Sequence, residues 1–187
     1  MALFPTSEFS SSTPVSHSPS YLSESQSLKT IAISTGAQRW EIELETAWIF
    51  MAEARRVWAF LNALFGQAKT FEVALPIFSE PVGIVAGVVS VSAAYSAGDN
   101  SITFTNFTPE PGDFFTFNGH TKVYQVESAV GNVATIFPPL LQAVASNEVV
   151  TAENVLFTLR LKNDFSKVQI TKRSRTQLKF KCIEAFQ

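Results

Sequence analysis

The side chains that could do chemistry in this sequence are few and dispersed. Glu41, Glu43 and Glu45 form the densest carboxylate group. Paired carboxylates can act as general acid and base, but a spacing of two along a strand turns all three to one face. That pattern fits a solvated or ion-paired face better than hydrolysis. The two histidines are His17, in a Ser-rich stretch, and His120, beside Asn118-Gly119, where an exposed turn residue is expected. Neither stands in a nucleophile setting, and no two-His metal spacing occurs. Cys182 is the single cysteine, so an internal disulfide and a cysteine zinc cluster are excluded. The eight glycines never take the spacing of a phosphate-cradling loop. The expectation is a chain with no catalytic, cofactor-binding or metal-ligating residues, and no enzyme activity.

Charge is unevenly placed. Residues 151–187 hold eight Lys or Arg against three acids, and residues 1–150 hold six against thirteen. An acidic body with a basic end can pair with itself or with a second copy, which speaks to assembly more than to nucleic acid. Glu41, Glu43 and Glu45 would meet Lys179 and Lys181 on a neighbouring strand, within the chain or across a subunit boundary. The run Lys172-Arg173-Ser174-Arg175 reads as a loop or subunit contact. Glu41, Glu43, Glu45, Lys172, Arg173, Arg175, Lys179 and Lys181 are thus the candidate subunit-interface residues.

The elements that must position these residues are mostly strands. Seventeen Phe against three Tyr and three Trp suit packed sheets, because Phe buries a large area with no polar handle. Residues 1–28 contain ten Ser, two Thr and three Pro. Such a segment stays flexible alone; along an adjacent subunit it would order, anchored by Phe4, Phe9, Tyr21 and Leu22. Leu28–Ser34 reads as a strand, Thr35–Gln38 as a turn, and Arg39–Thr46 as a second strand in which Trp40, Ile42 and Leu44 alternate with glutamates. A helix is expected from about Phe50 to Phe65, with Met51, Ala54, Trp58, Leu61 and Phe65 on its apolar stripe, Val57 and Leu64 widening it, and Gly66 as the cap. Thr70–Leu75 follows as a strand.

Residues 82–150 read as a separate β unit with one cation, Lys122, against five acids. Its strands are expected at Val85–Val91, Ser101–Phe107, Asp113–Phe117, Lys122–Glu127 and Val133–Phe137, with Phe114, Phe115 and Phe117 in its core. Asn118-Gly119 predicts a two-residue type I′ hairpin turn. Five short strands suit a small barrel of OB type. Val155–Leu161, Lys167–Thr171 and Gln177–Phe186 complete the strand set, the last with Leu178, Phe180 and Cys182 on one face and Lys179 and Lys181 on the other. The expected fold is therefore mainly β. A sandwich-like domain with one helix spans 29–78 and 151–187, a five-stranded OB-like barrel is inserted at 79–150, and 1–28 forms the arm. With no basic-then-apolar leader and no long apolar run, a soluble chain is expected.

Two stretches together resemble a known family. The first is Gln38-Arg39-Trp40 opening an alternating strand, the helix ending at Gly66, and then Phe71-Glu72-Val73-Ala74-Leu75-Pro76. The second is Gly112-Asp113-Phe114-Phe115-Thr116-Phe117, then Lys122-Val123-Tyr124-Gln125-Val126, and a strand from Asn132 ending in Phe137-Pro138-Pro139-Leu140-Leu141. In this order they resemble the distal tail protein of long-tailed, non-contractile bacteriophages, in the small form with an inserted OB-fold. The match covers roughly residues 28–162. The resemblance implies a ring of six copies at the far end of the tail tube, joining it to tip or hub proteins. DNA would pass through the ring without specific binding, and the OB-like domain would project outward. It implies a virion protein made in the host cytoplasm, with no enzymatic activity, no cofactor and no membrane insertion. The rival functions are a carbohydrate- or receptor-binding module on the tail tip and another tube or completion ring protein. The first is weakened because the barrel has no Trp and its Tyr95 and Tyr124 are single.

Overall fold

Strict alternation of Trp40, Ile42, Leu44 and Thr46 with charged residues gives one strand a buried and a wet face, and the main sheet is built around it. The computed structural model describes residues 2–5, 9–164 and 175–186. In chain order the strands are β1 (Ala2–Leu3), β2 (Phe9–His17), β3 (Ser20–Glu24), β4 (Thr30–Ser34), β5 (Arg39–Thr46), β6 (Ile49–Phe50), β7 (Phe71–Ala74) and β8 (Ile84–Val91). They continue as β9 (Ser101–Thr108), β10 (Phe114–Phe117), β11 (Tyr124–Val130), β12 (Val133–Phe137), β13 (Val150–Thr151), β14 (Leu156–Leu161), β15 (Arg175–Thr176) and β16 (Lys179–Glu184). One helix, α1 (Met51–Ala63), lies between β6 and β7. The fold is mainly β.

The first sheet has the order β1-β7-β14-β16-β5-β2, so its strands come from both ends of the sequence. Its inner face carries Trp40, Ile42, Leu44, Phe71, Val73, Phe157, Leu159 and Cys182, and α1 packs on that face through Ala54, Val57 and Leu61, joined by Leu64 just past its end. The helix is turned relative to the expected stripe. Trp58 and Phe65 point outward, and Phe60 instead meets Phe4 and Phe71 edge-on at 5.5 and 5.8 Å. After α1 the chain passes so close to Asp164 that a Cβ on Gly66 would lie 2.9 Å from its Cα.

The N-terminal region departs most from expectation. It is not an arm without structure of its own. β1 pairs in parallel with β7, and β2 runs antiparallel along the whole of β5. Phe4 is buried in the core and Phe9 stacks on it at 5.4 Å. Backbone pairing with β5 and β7 supplies what the Ser-rich side chains cannot, since a ladder needs only N–H and C=O groups. β4 likewise pairs with β3, not with β5. Tyr21 and Leu22 are exposed on that hairpin.

Between β7 and β14 the chain builds a second sheet of order β13-β10-β11-β12-β9-β8. The five expected strands are present, and the short β13 adds a sixth. Because β13 pairs with β10 while Ser90 bridges Val149 and Val91 N–H donates to Glu148 O, the sheet is nearly closed. Phe104, Phe107, Phe115, Phe117 and Tyr124 fill its interior. Phe114 does not join them: it faces the other way along β10 and packs edge-on against Trp40 at 5.3 Å, in the core of the first sheet. Asn118-Gly119 is not a type I′ turn, since neither residue has positive φ and β10 is joined to β11 through residues 118–123. This longer connection delivers Lys122 and Val123 to the first sheet. His120 is half-buried against Phe117 at 5.2 Å, not an exposed turn residue. The expected strand Lys167–Thr171 lies outside the described residues.

Truncating Phe4 tests whether the N-terminus is part of the core. Phe4→Ala should lower unfolding free energy by about 3 kcal/mol, whereas Leu22→Ala on the exposed hairpin should change it by less than about 0.5 kcal/mol. Urea denaturation of the two variants, followed by Trp fluorescence, measures both.

Candidate assembly surfaces

The outward residues of β5 meet those of β16 in antiparallel register, Glu45 opposite Lys179 and Glu43 opposite Lys181. Lys179 Nζ lies 2.8 Å from Glu43 and 3.9 Å from Glu45, and Lys181 Nζ lies 3.1 Å from Glu43. Glu41 is held by Lys162 at 2.6 Å and Arg39 at 3.2 Å. The acidic and basic residues read from the sequence thus come together within one chain, as a charge ladder across the outer face. Hydrogen bonds from Lys162 pull the Glu41 carboxyl below the usual range, and those from Lys179 and Lys181 do the same for Glu43. The pairs are largely exposed, and such contacts add little stability. Arg175 is elsewhere, on β15, its guanidinium 4.6 Å from the Phe50 ring centre. Lys172 and Arg173 lie outside the described residues.

The strongest electrostatics are inside. The joint between the two sheets contains a buried ion pair, Lys122 from the β10–β11 connection with Glu184 at the end of β16. The ammonium also donates to Gln38 Oε1 at 2.6 Å. The carboxylate accepts from the backbone N–H groups of Val123 at 2.9 Å and Trp40 at 3.1 Å. Trp40 Nε1 crosses the same joint to donate to Val123 O at 3.0 Å. Burial lowers the Lys122 pKa and raises that of Glu184, each opposed by the partner's charge. Cys182, two residues earlier on the same inward face, has its thiol pKa raised by burial.

The two chain crossings beside this pair are also tied. Ser79 Oγ accepts from Leu75 N–H at 2.7 Å and donates to Val155 O at 2.6 Å, linking the way out of β7 to the way into β14. Asp113 accepts from the N–H groups of Val82, Gly83 and Glu110 at 2.7, 3.1 and 2.8 Å. The passage there is tight enough that a Cβ on Gly83 would sit 2.4 Å from Thr108 O.

No protein-family model and no curated protein matches this chain. Geometry therefore carries the argument about its surfaces. Among the described residues no group of three His, Cys, Asp or Glu is placed to hold a metal ion, and no helix is long and apolar enough to cross a membrane.

Among the described residues, the β2 edge of the first sheet and the β3–β4 hairpin beyond it have no further partner strand. β2 forms one edge, where Pro14 interrupts the row of outward donors and so blunts pairing with another chain. Beyond it, β3 and β4 continue as a two-stranded hairpin in which every strand residue is exposed. Tyr21 opposes Ile33, and Leu22 opposes Ala32. The pairing of Lys122 with Glu184 at the joint is not among the contacts expected from the sequence. The signal was present: the Leu178-Phe180-Cys182 alternation continues to Glu184, which places a carboxylate at an inward position.

Two expectations follow. Glu184→Ala should destabilise the fold by about 3–5 kcal/mol because it strands a buried ammonium, and Lys122→Met with Glu184→Leu should recover only part of that loss, because the Val123 and Trp40 N–H groups and Gln38 Oε1 stay buried without partners; chemical denaturation distinguishes them. The depressed carboxyls of Glu41 and Glu43 contribute stability above the ordinary glutamate pKa that is lost as pH falls through their folded values. Carboxyl-carbon NMR should show both titrating below the usual value, and Lys162→Met should return Glu41, but not Glu43, towards it.

Proposed function

We propose that this chain is a structural subunit of a bacteriophage tail tip. As a distal tail protein it would close with further copies into a six-membered ring, joining the tail tube to the tip or hub proteins around the DNA channel. The observation that carries this reading is the β3–β4 hairpin, whose Tyr21 and Leu22 are each 72% exposed, with Ile31 and Ile33 at 62% and 61%. A two-stranded hairpin is at best marginally stable alone in water, and clustered apolar exposure marks a surface made for contact. The ordered motifs from Gln38-Arg39-Trp40 to Phe137-Pro138-Pro139-Leu140-Leu141 support the same family. So does the joint, because a ring subunit must present its two β units at a fixed angle.

A glycan-binding barrel fits the aromatic side chains less well. Tyr124 is buried with its hydroxyl accepting from Leu141 N–H, and the Tyr95 hydroxyl accepts from Thr103 N–H at 2.8 Å. Neither presents a free ring beside polar partners.

Negative-stain electron microscopy and native mass spectrometry of the full chain, across a concentration series, test the proposal. Six-fold rings with a central hole are the expected result. A chain that stays monomeric throughout and is missing from purified virions would overturn it.

A further inference from the structure

Asn118 is the one asparagine of the chain that precedes a glycine. The pair does not make a type I′ hairpin, and its placement opens it to a different chemistry. His120 N–H donates to Phe117 O at 3.0 Å, closing a tight turn with Asn118 and Gly119 at its centre, both exposed. The Asn118 N–H is anchored on Val149 O at 3.0 Å. Among the described residues, no hydrogen bond engages the Asn118 side-chain amide or the Gly119 N–H. An electrophilic carbonyl carbon and the next backbone nitrogen therefore share one solvated turn, and glycine puts no Cβ in the way of their approach.

We infer that Asn118 is a self-modifying site, which in the folded chain loses its side-chain amide without an enzyme and becomes a mixture of aspartate and isoaspartate. The Gly119 nitrogen gives up its proton to hydroxide and attacks Asn118 Cγ. The new N–Cγ bond closes a five-membered succinimide, the Cγ–Nδ2 bond breaks, and Nδ2 leaves as ammonia. Water then adds to either ring carbonyl. Opening at Cγ restores the ordinary backbone and leaves an aspartate, whereas opening at the main-chain carbonyl routes the backbone through the side chain as isoaspartate. Water is the one co-reactant, and the intramolecular placement of nucleophile and electrophile supplies the rate.

The location gives the change a consequence. A Cβ on Gly119 would lie 3.2 Å from Glu148 Oε1, so the new carboxylate arises close to an existing one, in a unit with one cation against five acids. The backbone carbonyls of Glu148 and Val149 accept from the N–H groups of Val91 and Asn118, at the seam where β13 helps close the second sheet. Like charges side by side oppose that closure. Isoaspartate also adds a backbone carbon to the turn that His120 N–H closes onto Phe117 O.

Full-length protein kept folded in mildly alkaline buffer at physiological temperature tests the site. Ammonia release should approach one per chain. Peptide mapping by mass spectrometry with electron-transfer fragmentation should place both aspartate and isoaspartate at position 118, with the other asparagines intact. The Val91 amide should exchange with solvent faster in aged than in fresh protein. Asn118→Gln should abolish the release, and Gly119→Ala, whose Cβ meets only the flexible end of the Glu148 side chain, should slow it. Ammonia that appears only once the chain is unfolded in urea would show that the fold locks the turn and would overturn the inference. Aspartate without isoaspartate would rule out the succinimide, and undiminished release from Asn118→Gln would assign the chemistry to another residue.

Discussion

The arrangement of the two β units depends on one buried ion pair. Lys122 and Glu184 are removed from water at the junction of two cores, and desolvation of both charges opposes their burial. What offsets that cost is the number of partners. Glu184 accepts from an ammonium and two backbone N–H groups, and Lys122 donates to both a carboxylate and an amide oxygen. Ions held by this many fixed partners lose them in any other geometry. A shift of the second sheet by a few ångströms would leave both ions unpaired in an apolar setting. An apolar joint of the same volume could bind as tightly and still slide.

The rest of the neck repeats this division of labour. Phe114 and Val123 come from the second sheet but lie in the core of the first, so apolar burial draws the units together. Ser79, Asp113 and the indole N–H of Trp40 then fix where they stop. Apolar area supplies attraction without direction, and the hydrogen bonds supply direction. That combination holds the two β units at a set angle.

Much of this was legible in the sequence, and the failures have physical causes. The alternation in β5, β14 and β16 fixed which side chains face inward, and the ladder of Glu43 and Glu45 with Lys179 and Lys181 followed from the same period. The N-terminal strands were missed because Ser-rich composition argues against a core, whereas β2 is held by the backbone of β5. Asn118-Gly119 misled for a related reason. A local turn preference is worth little against the burial of Lys122 and Val123, which needs a longer connection. Phe114 and Phe115 show the limit of composition: adjacent residues of one type on one strand serve two different cores.

The same accounting separates the surfaces by what they have left to offer. The outer-face ladder is already paired within the chain, so its charges have little unmet valence. β2 has unmet backbone groups, and Pro14 breaks their row. The hairpin differs from both. Besides the unpaired outer edges of its two strands, it exposes side-chain area that water solvates poorly. Of the three, it alone combines a preformed shape with unspent apolar surface. Binding there would order little that is not already ordered, and so would keep most of the burial free energy for association.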